Sequence, residues 1–249
     1  MNHYVAARSL GEKPLNLFCF HHAGAGAMTF ARWQRRVGTH ISVIPVRLPG
    51  RETRLREPRI TDAEELMDEL GAHLGPLLDR PHAFYGHSLG ALVAYRFALR
   101  RTTQGHPAPV AVAVGACNAP HLPTAFIDAI DPTDEWLLRT LTHWGDVPRY
   151  LLESPQWLRT TLATLRDDFR LARSLRAASG APLPCPVPAF AGRDDVIAPP
   201  SGMRLWSRYT TAAFALRTVP GGHFFVRDGE LPRLLPAALG IGTPPRPVS

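Results

Sequence analysis

The sequence has a single lysine, Lys13, so 27 of its 28 basic residues are arginines. It has only three cysteines, Cys19, Cys117 and Cys185, with no C-x-x-C spacing. That scarcity excludes a disulfide scaffold and makes a structural zinc site untenable. Two of the three sit in apolar runs, the pattern of buried free thiols in a reducing compartment. Long hydrophobic runs are absent too. The longest, Pro107 to Ala116, falls well short of the roughly 18 residues a membrane span needs. The opening MNHYVAARSLGEKP lacks the apolar core of a secretory signal. A cytoplasmic protein away from membranes is therefore expected. Nucleic acid is not an expected partner, because the arginines are scattered beside acids and no aromatic-basic motif occurs. The net charge of +7 instead suits an acidic protein partner, although an arginine-rich genome would give the same bias.

What is present is enough apolar material, 45% of 249 residues, for one large core and one α/β domain over residues 1–249. Six short β-branched or aromatic runs read as strands: Asn16–Phe20, Ile41–Val46, His82–Tyr85, Val110–Val114, Val187–Ala191 and Phe214–Val219. Runs with both faces apolar predict a mostly parallel sheet covered by helices on both sides. Between them, Thr61 and Glu64 predict a capping box, followed by apolar Leu66, Leu70, Leu74 and Leu77 at helical spacing. Ala91–Arg101 is rich in helix formers. The stretch 120–179 breaks the alternation. It predicts helices over Thr133–Leu141 and Gln156–Leu175 and no strand, so an all-helical cap over a site is expected. The alternative is extra helices covering the sheet. The Pro-rich tail, 242–249, is expected to be disordered.

The stretch FYGHSLG places Ser88 between Gly86 and Gly90, after one predicted strand and before a predicted helix. Such a turn lifts a serine hydroxyl off the sheet, and the helix start favours a developing anion. A serine at neutral pH needs a base. Downstream, AFAGRDD ends a strand in an acidic turn, and PGGHFF puts His223 after the last strand. The order Ser88, Asp195, His223 suits a Ser–His–Asp triad. The tetrahedral intermediate needs two N–H donors. Leu89, after the serine, and Ala23, in the loop HHAGAGA, are the candidates. No histidine pair has metal-ligand spacing, so neither metal nor cofactor is expected.

Several motifs resemble those of type II thioesterases, the separate editing thioesterases of polyketide and nonribosomal peptide assembly lines. FCFHHAGAGA is similar to their F-P-H-A-G-G loop. VRLPGRETRLREP, Val46 to Pro58, resembles their L-P-G-R-x-x-R-x-x-E-P segment. LRDDFRL, Leu165 to Leu171, resembles their R-x-D-F helix. The elbow, acid and histidine segments match as well, over about Leu15 to Leu239. The resemblance implies an α/β-hydrolase fold and carries over Ser88, Asp195 rather than Asp194, His223, and the oxyanion donors Ala23 and Leu89. It implies hydrolysis of acyl groups from the phosphopantetheine arm of a carrier protein. A monomer is expected. His22, Phe30, Trp136, Trp144 and Leu158 are expected to line the substrate pocket. Three departures stand out: His21 for proline, Ala25 for the loop's second glycine, and Leu89 for methionine. Ala25 is expected to be strained if its position requires positive φ. The other readings open at this point are a product-releasing thioesterase, an acyl-CoA or small-ester hydrolase, and an inactive carrier-binding module.

Overall fold

Buried β-branched and aromatic runs with no polar face can only be satisfied by a sheet covered on both sides. In the computed structural model all six become strands: β1 (Leu15–Phe20), β2 (Ile41–Pro45), β3 (His82–His87), β4 (Val112–Gly115), β5 (Val187–Gly192) and β6 (Phe214–Val219). The structure describes residues 3–5, 13–129, 132–143, 153–177, 180–227 and 229–241. The tail 242–249 lies outside them. The six strands form one sheet, in the order β2-β1-β3-β4-β5-β6, and every neighbouring pair is parallel. The edge strand β6 departs from expectation, because most of its residues are half-buried or exposed.

Among the described residues the α-helices are α1 (Ala63–Leu74), α2 (Leu89–Thr103), the single turn α3 (Ala125–Asp128), α4 (Asp134–His143), α5 (Pro155–Ala177), α6 (Pro200–Arg204) and α7 (Leu231–Ala238). The cap of α1 is Asp62, not Thr61. Its carboxylate accepts from Glu64 N and Glu65 N, which an uncharged hydroxyl one residue earlier does not reach. Alternate residues of each strand feed two cores. Phe18, Phe20 and Phe84 meet α1, α2 and the last turns of α5 on one face. Leu17, Cys19 and Tyr85 meet Phe30, Trp33 and α7 on the other.

Among the described residues of 120–179 there is no strand. The 23-residue α5 does two jobs. Its Leu171, Ala172 and Leu175 join the sheet core. Its Leu162, Leu165 and Phe169 form a separate cluster with Leu137 of α4. One end of the helix thus covers the sheet, and the other packs on α4.

β1 runs to β2 on one side, and the chain then returns to place β3 on the other. Such a reversal opens a crevice at the carboxyl ends of the two central strands. The loop after β1 and the turn after β3 both end there.

Candidate active site

Gly86 and Gly90 are fixed by lack of space. A side-chain carbon on Gly86 would overlap the Gly90 carbonyl, and one on Gly90 would overlap the carbonyl of Phe20 at the end of β1. With both glycines in place, α2 starts directly against β1 and β3. Ser88 sits between them at φ 55° and ψ −116°, a conformation that costs a non-glycine residue about 1–3 kcal/mol. The strain is held by Ser88 N donating to Gly115 O at 2.8 Å and Ala91 N donating to Ser88 O at 2.9 Å.

Ser88 Oγ lies 3.1 Å from His223 Nε2, and His223 Nδ1 lies 3.0 Å from Asp195 Oδ2. A carboxylate accepts, so Nδ1 carries the proton and Nε2 is free to take the serine proton. Asp195 Oδ1 accepts from Ile197 N at 2.8 Å and Ala198 N at 3.0 Å. Burial would raise the Asp195 carboxyl. The His223 contact and the two backbone donors outweigh it and hold the pKa below the ordinary value. The structure therefore brings together the three residues singled out from the sequence, from loops after β3, β5 and β6.

His87, between Gly86 and Ser88, points the other way. Its Nε2 lies 2.7 Å from His223 O, a carbonyl that only accepts, so Nε2 donates. Its Nδ1 then accepts from Tyr85 O–H at 2.8 Å. Burial, then the nearby His223 and His22, push its pKa well below the ordinary value. His87 is thus a neutral strut under the backbone of the histidine loop. Nothing local in the sequence marks this contact.

The loop after β1 carries Ala23. Among the described residues, neither Ala23 N nor Leu89 N donates to any protein acceptor. Positive φ falls on Gly24, at +75°, and Ala25 is not among the positive-φ residues. The alanine at the family's glycine position is therefore unstrained. His22 is buried, with its ring against Phe224 and His87, and burial lowers its pKa to about 3.

The expected pocket residues scatter. Phe30 is a correction. The short 3-10 turn Ala27–Phe30 rotates its ring into the core on the far face of the sheet, against Trp33 and Tyr85. Trp136 and Leu158 pack on the α4–α5 cluster, which also touches Ala23. Trp144 lies outside the described residues. The small opening at Ser88 is walled instead by Cys117, Asn118, Thr124, Ile127, Arg176 and Ile197. Asn118 and Ile197 follow β4 and β5. A site at the carboxyl ends of parallel strands draws on such loops, and this was the one signal that could have found them.

The thioesterase domain family matches residues 15–238. The chain is 30% identical over 227 residues to the gramicidin S biosynthesis protein GrsT of Aneurinibacillus migulanus, covering 91% of this chain and 89% of that one. The thioesterase RedJ, from the prodiginine biosynthetic pathway in Streptomyces coelicolor, has a similar structure. Its TM-score is 0.81 and its identity 33%, over 94% of this chain and 95% of that one. The type II thioesterase BorB from the borrelidin biosynthetic cluster gives a TM-score of 0.80 and 28% identity, over 95% and 97%. No helix among the described residues is long and apolar enough to cross a membrane.

Proposed function

The chain belongs to the thioesterase domain family, with an α/β-hydrolase fold, and from that premise we propose that it is an editing, type II thioesterase. In this reading it removes acyl groups from the phosphopantetheine thiol of carrier proteins in a polyketide or nonribosomal peptide assembly line. The observation that carries the reading is the unbroken line Ser88 Oγ, His223, Asp195, beside two backbone donors with no protein acceptor.

The chemistry follows from that geometry. His223 Nε2 takes the Ser88 proton as Oγ attacks the thioester carbonyl. Negative charge develops on the carbonyl oxygen, and Ala23 N–H and Leu89 N–H receive it. Collapse expels the pantetheine thiolate, which takes the proton from His223. A thiol, with a pKa of roughly 8.5, leaves more readily than an amine. Water then gives a proton to His223 and attacks the acyl-enzyme. The second collapse frees Ser88 and the carboxylic acid. Asp195 holds the imidazole tautomer throughout and offsets its transient charge. No step calls for a metal or cofactor. The helices α4 and α5 form the cap that admits the arm. The net charge of +7 suits an acidic carrier protein.

Treatment with a fluorophosphonate, followed by peptide mapping, is expected to place the adduct on Ser88. Hydrolysis is expected to be faster for an acyl group on a carrier protein than for the same group on free pantetheine. An adduct on another serine overturns the mechanism. Equal rates on the two substrates overturn the carrier-protein reading and favour a general acyl thioesterase.

A further inference from the structure

Two buried charged side chains that the triad does not use meet beneath the loop after β1. Arg51 comes from the L-P-G-R segment following β2, and Asp168 from the middle of α5. Arg51 Nη2 donates to Asp168 Oδ1 at 2.8 Å, and Nη1 donates to Oδ2 at 3.0 Å. Their side chains are 8% and 1% exposed. Each also holds the loop directly. Asp168 Oδ2 accepts the backbone N–H of Gly24 at 2.7 Å. Arg51 Nη1 donates to Ala25 O at 3.0 Å.

The rest of the loop is bonded with equal economy. His22 O accepts from His21 Nδ1 at 2.9 Å and from Ala25 N at 3.2 Å. Ala23 O accepts from His22 Nδ1 at 3.0 Å. Among the described residues Ala23 N–H has no protein acceptor, and the backbone on its carboxyl side, at Gly24 and Ala25, is held by the two charged side chains.

We infer that Asp168 and Arg51 are positioning residues, which clamp the Gly24–Ala25 end of the loop and so fix the aim of the Ala23 N–H at the reacting oxygen. The inference rests on the thioesterase reading above. The clamp makes α5 a working part of the reaction centre. The helix that contributes Leu162, Leu165 and Phe169 to the α4–α5 cluster also carries, one residue before Phe169, the carboxylate that sets an oxyanion donor.

A purely structural ion pair would behave differently. Buried pairs are often replaceable by apolar residues without loss of folding, whereas removing one partner leaves an uncompensated charge. The informative variant is therefore the double replacement Arg51→Met with Asp168→Leu, which removes the clamp and both charges. It is expected to fold. Its kcat per fluorophosphonate-titrated site is expected to fall about 10²-fold, near the cost of losing or misplacing one oxyanion donor. KM is expected to change little, because the donor acts on charge that appears in the transition state. Affinity for a trifluoromethyl ketone bearing the same acyl chain, whose adduct oxyanion occupies the hole, is expected to fall by the same factor. The pH profile of kcat/KM is expected to stay in place. Arg51→Lys, which keeps the charge pair but loses the fork, is expected to show a smaller loss of the same kind. It carries the test alone if the double variant does not fold.

Unchanged kcat and unchanged ketone affinity in folded variants overturn the inference. So does a loss accounted for entirely by fewer titratable sites. Failure of the wild-type protein to label at Ser88, before any variant is compared, would instead overturn the thioesterase mechanism and with it the inference that rests on it.

Discussion

The elbow around Ser88 and the helical pair α4–α5 are built by opposite means. At the elbow three backbones touch where only glycine fits, a strained serine is held by two short hydrogen bonds, and buried imidazoles brace the histidine loop. The outer part of the helical pair rests on four buried side chains, Leu137, Leu162, Leu165 and Phe169. Each contributes about 1.5–3 kcal/mol by burial. It is tied down by the partly exposed pair Arg166–Asp134 at 2.5 Å, a kind of contact that adds little. Atoms that must meet to within tenths of an ångström are placed by sterics that cannot relax. The outer helical cluster is placed by side-chain packing, which can adjust.

The comparison breaks first at the acid. Asp195→Asn is expected to lower kcat by about 10⁴-fold, because the amide favours the wrong histidine tautomer. Asp194→Asn is expected to leave kcat near wild type, since Asp195 is the carboxylate bonded to His223 Nδ1. Rates measured at equal folded fraction decide it. A larger loss from Asp194→Asn would move the triad by one residue.

Acid sharpens the contrast next. Burial, with Arg51 adding to it, lowers His21 to about 4, and burial, with Arg227, lowers His22 to about 3. His87 is pushed down as well. In each case the folded pKa lies below the unfolded value of about 6.5. The unfolded chain therefore binds more protons between pH 6.5 and 4, and folding stability falls as pH falls through that window. Three such groups give a slope of up to about 4 kcal/mol per pH unit. Urea unfolding as a function of pH is expected to show this slope. Hydrogen exchange is expected to show the elbow and histidine loop losing protection before α4 and α5. Loss of α4–α5 protection first would reverse the comparison.

The smallest effect belongs to the packing. Trp136→Ala and Leu158→Ala are expected to shift the ratio of kcat/KM between short and long acyl chains by about 10- to 200-fold, the equivalent of roughly 1–3 kcal/mol. The chemical step on the shortest substrate is expected to persist. An unchanged chain-length profile in both folded variants would mean that this cluster only supports Ala23 and does not meet the acyl chain.

Much of this was legible in the sequence, for identifiable reasons. The strands β1 to β5 were legible as short apolar runs because they are buried on both faces. The elbow was legible because its two glycines are forced by backbone contact within a few residues. Asp195 and His223 followed from chain order. The cavity wall was not legible. Asn118 and Ile197 sit in loops with no period, and only the sheet brings them to Ser88. Phe30 follows the Gly/Ala loop and so looked ligand-facing, but one 3-10 turn sends it through to the other core. The Arg51–Asp168 clamp joins residues 117 apart, and nothing local in either segment announces the other.

The strand order carries a last consequence, for the chain as it is made. β6 is the final strand in sequence and the outermost in the sheet, and His223 comes only after it. Parallel strands pair at long sequence separation, so such a sheet forms slowly, with the early segments first out of the ribosome. A growing chain can set β1 to β5, the elbow and Asp195 in place while Ser88 still has no base. The onset of hydrolysis during synthesis therefore marks completion of the sheet, and a chain released early carries a serine no more reactive than any other.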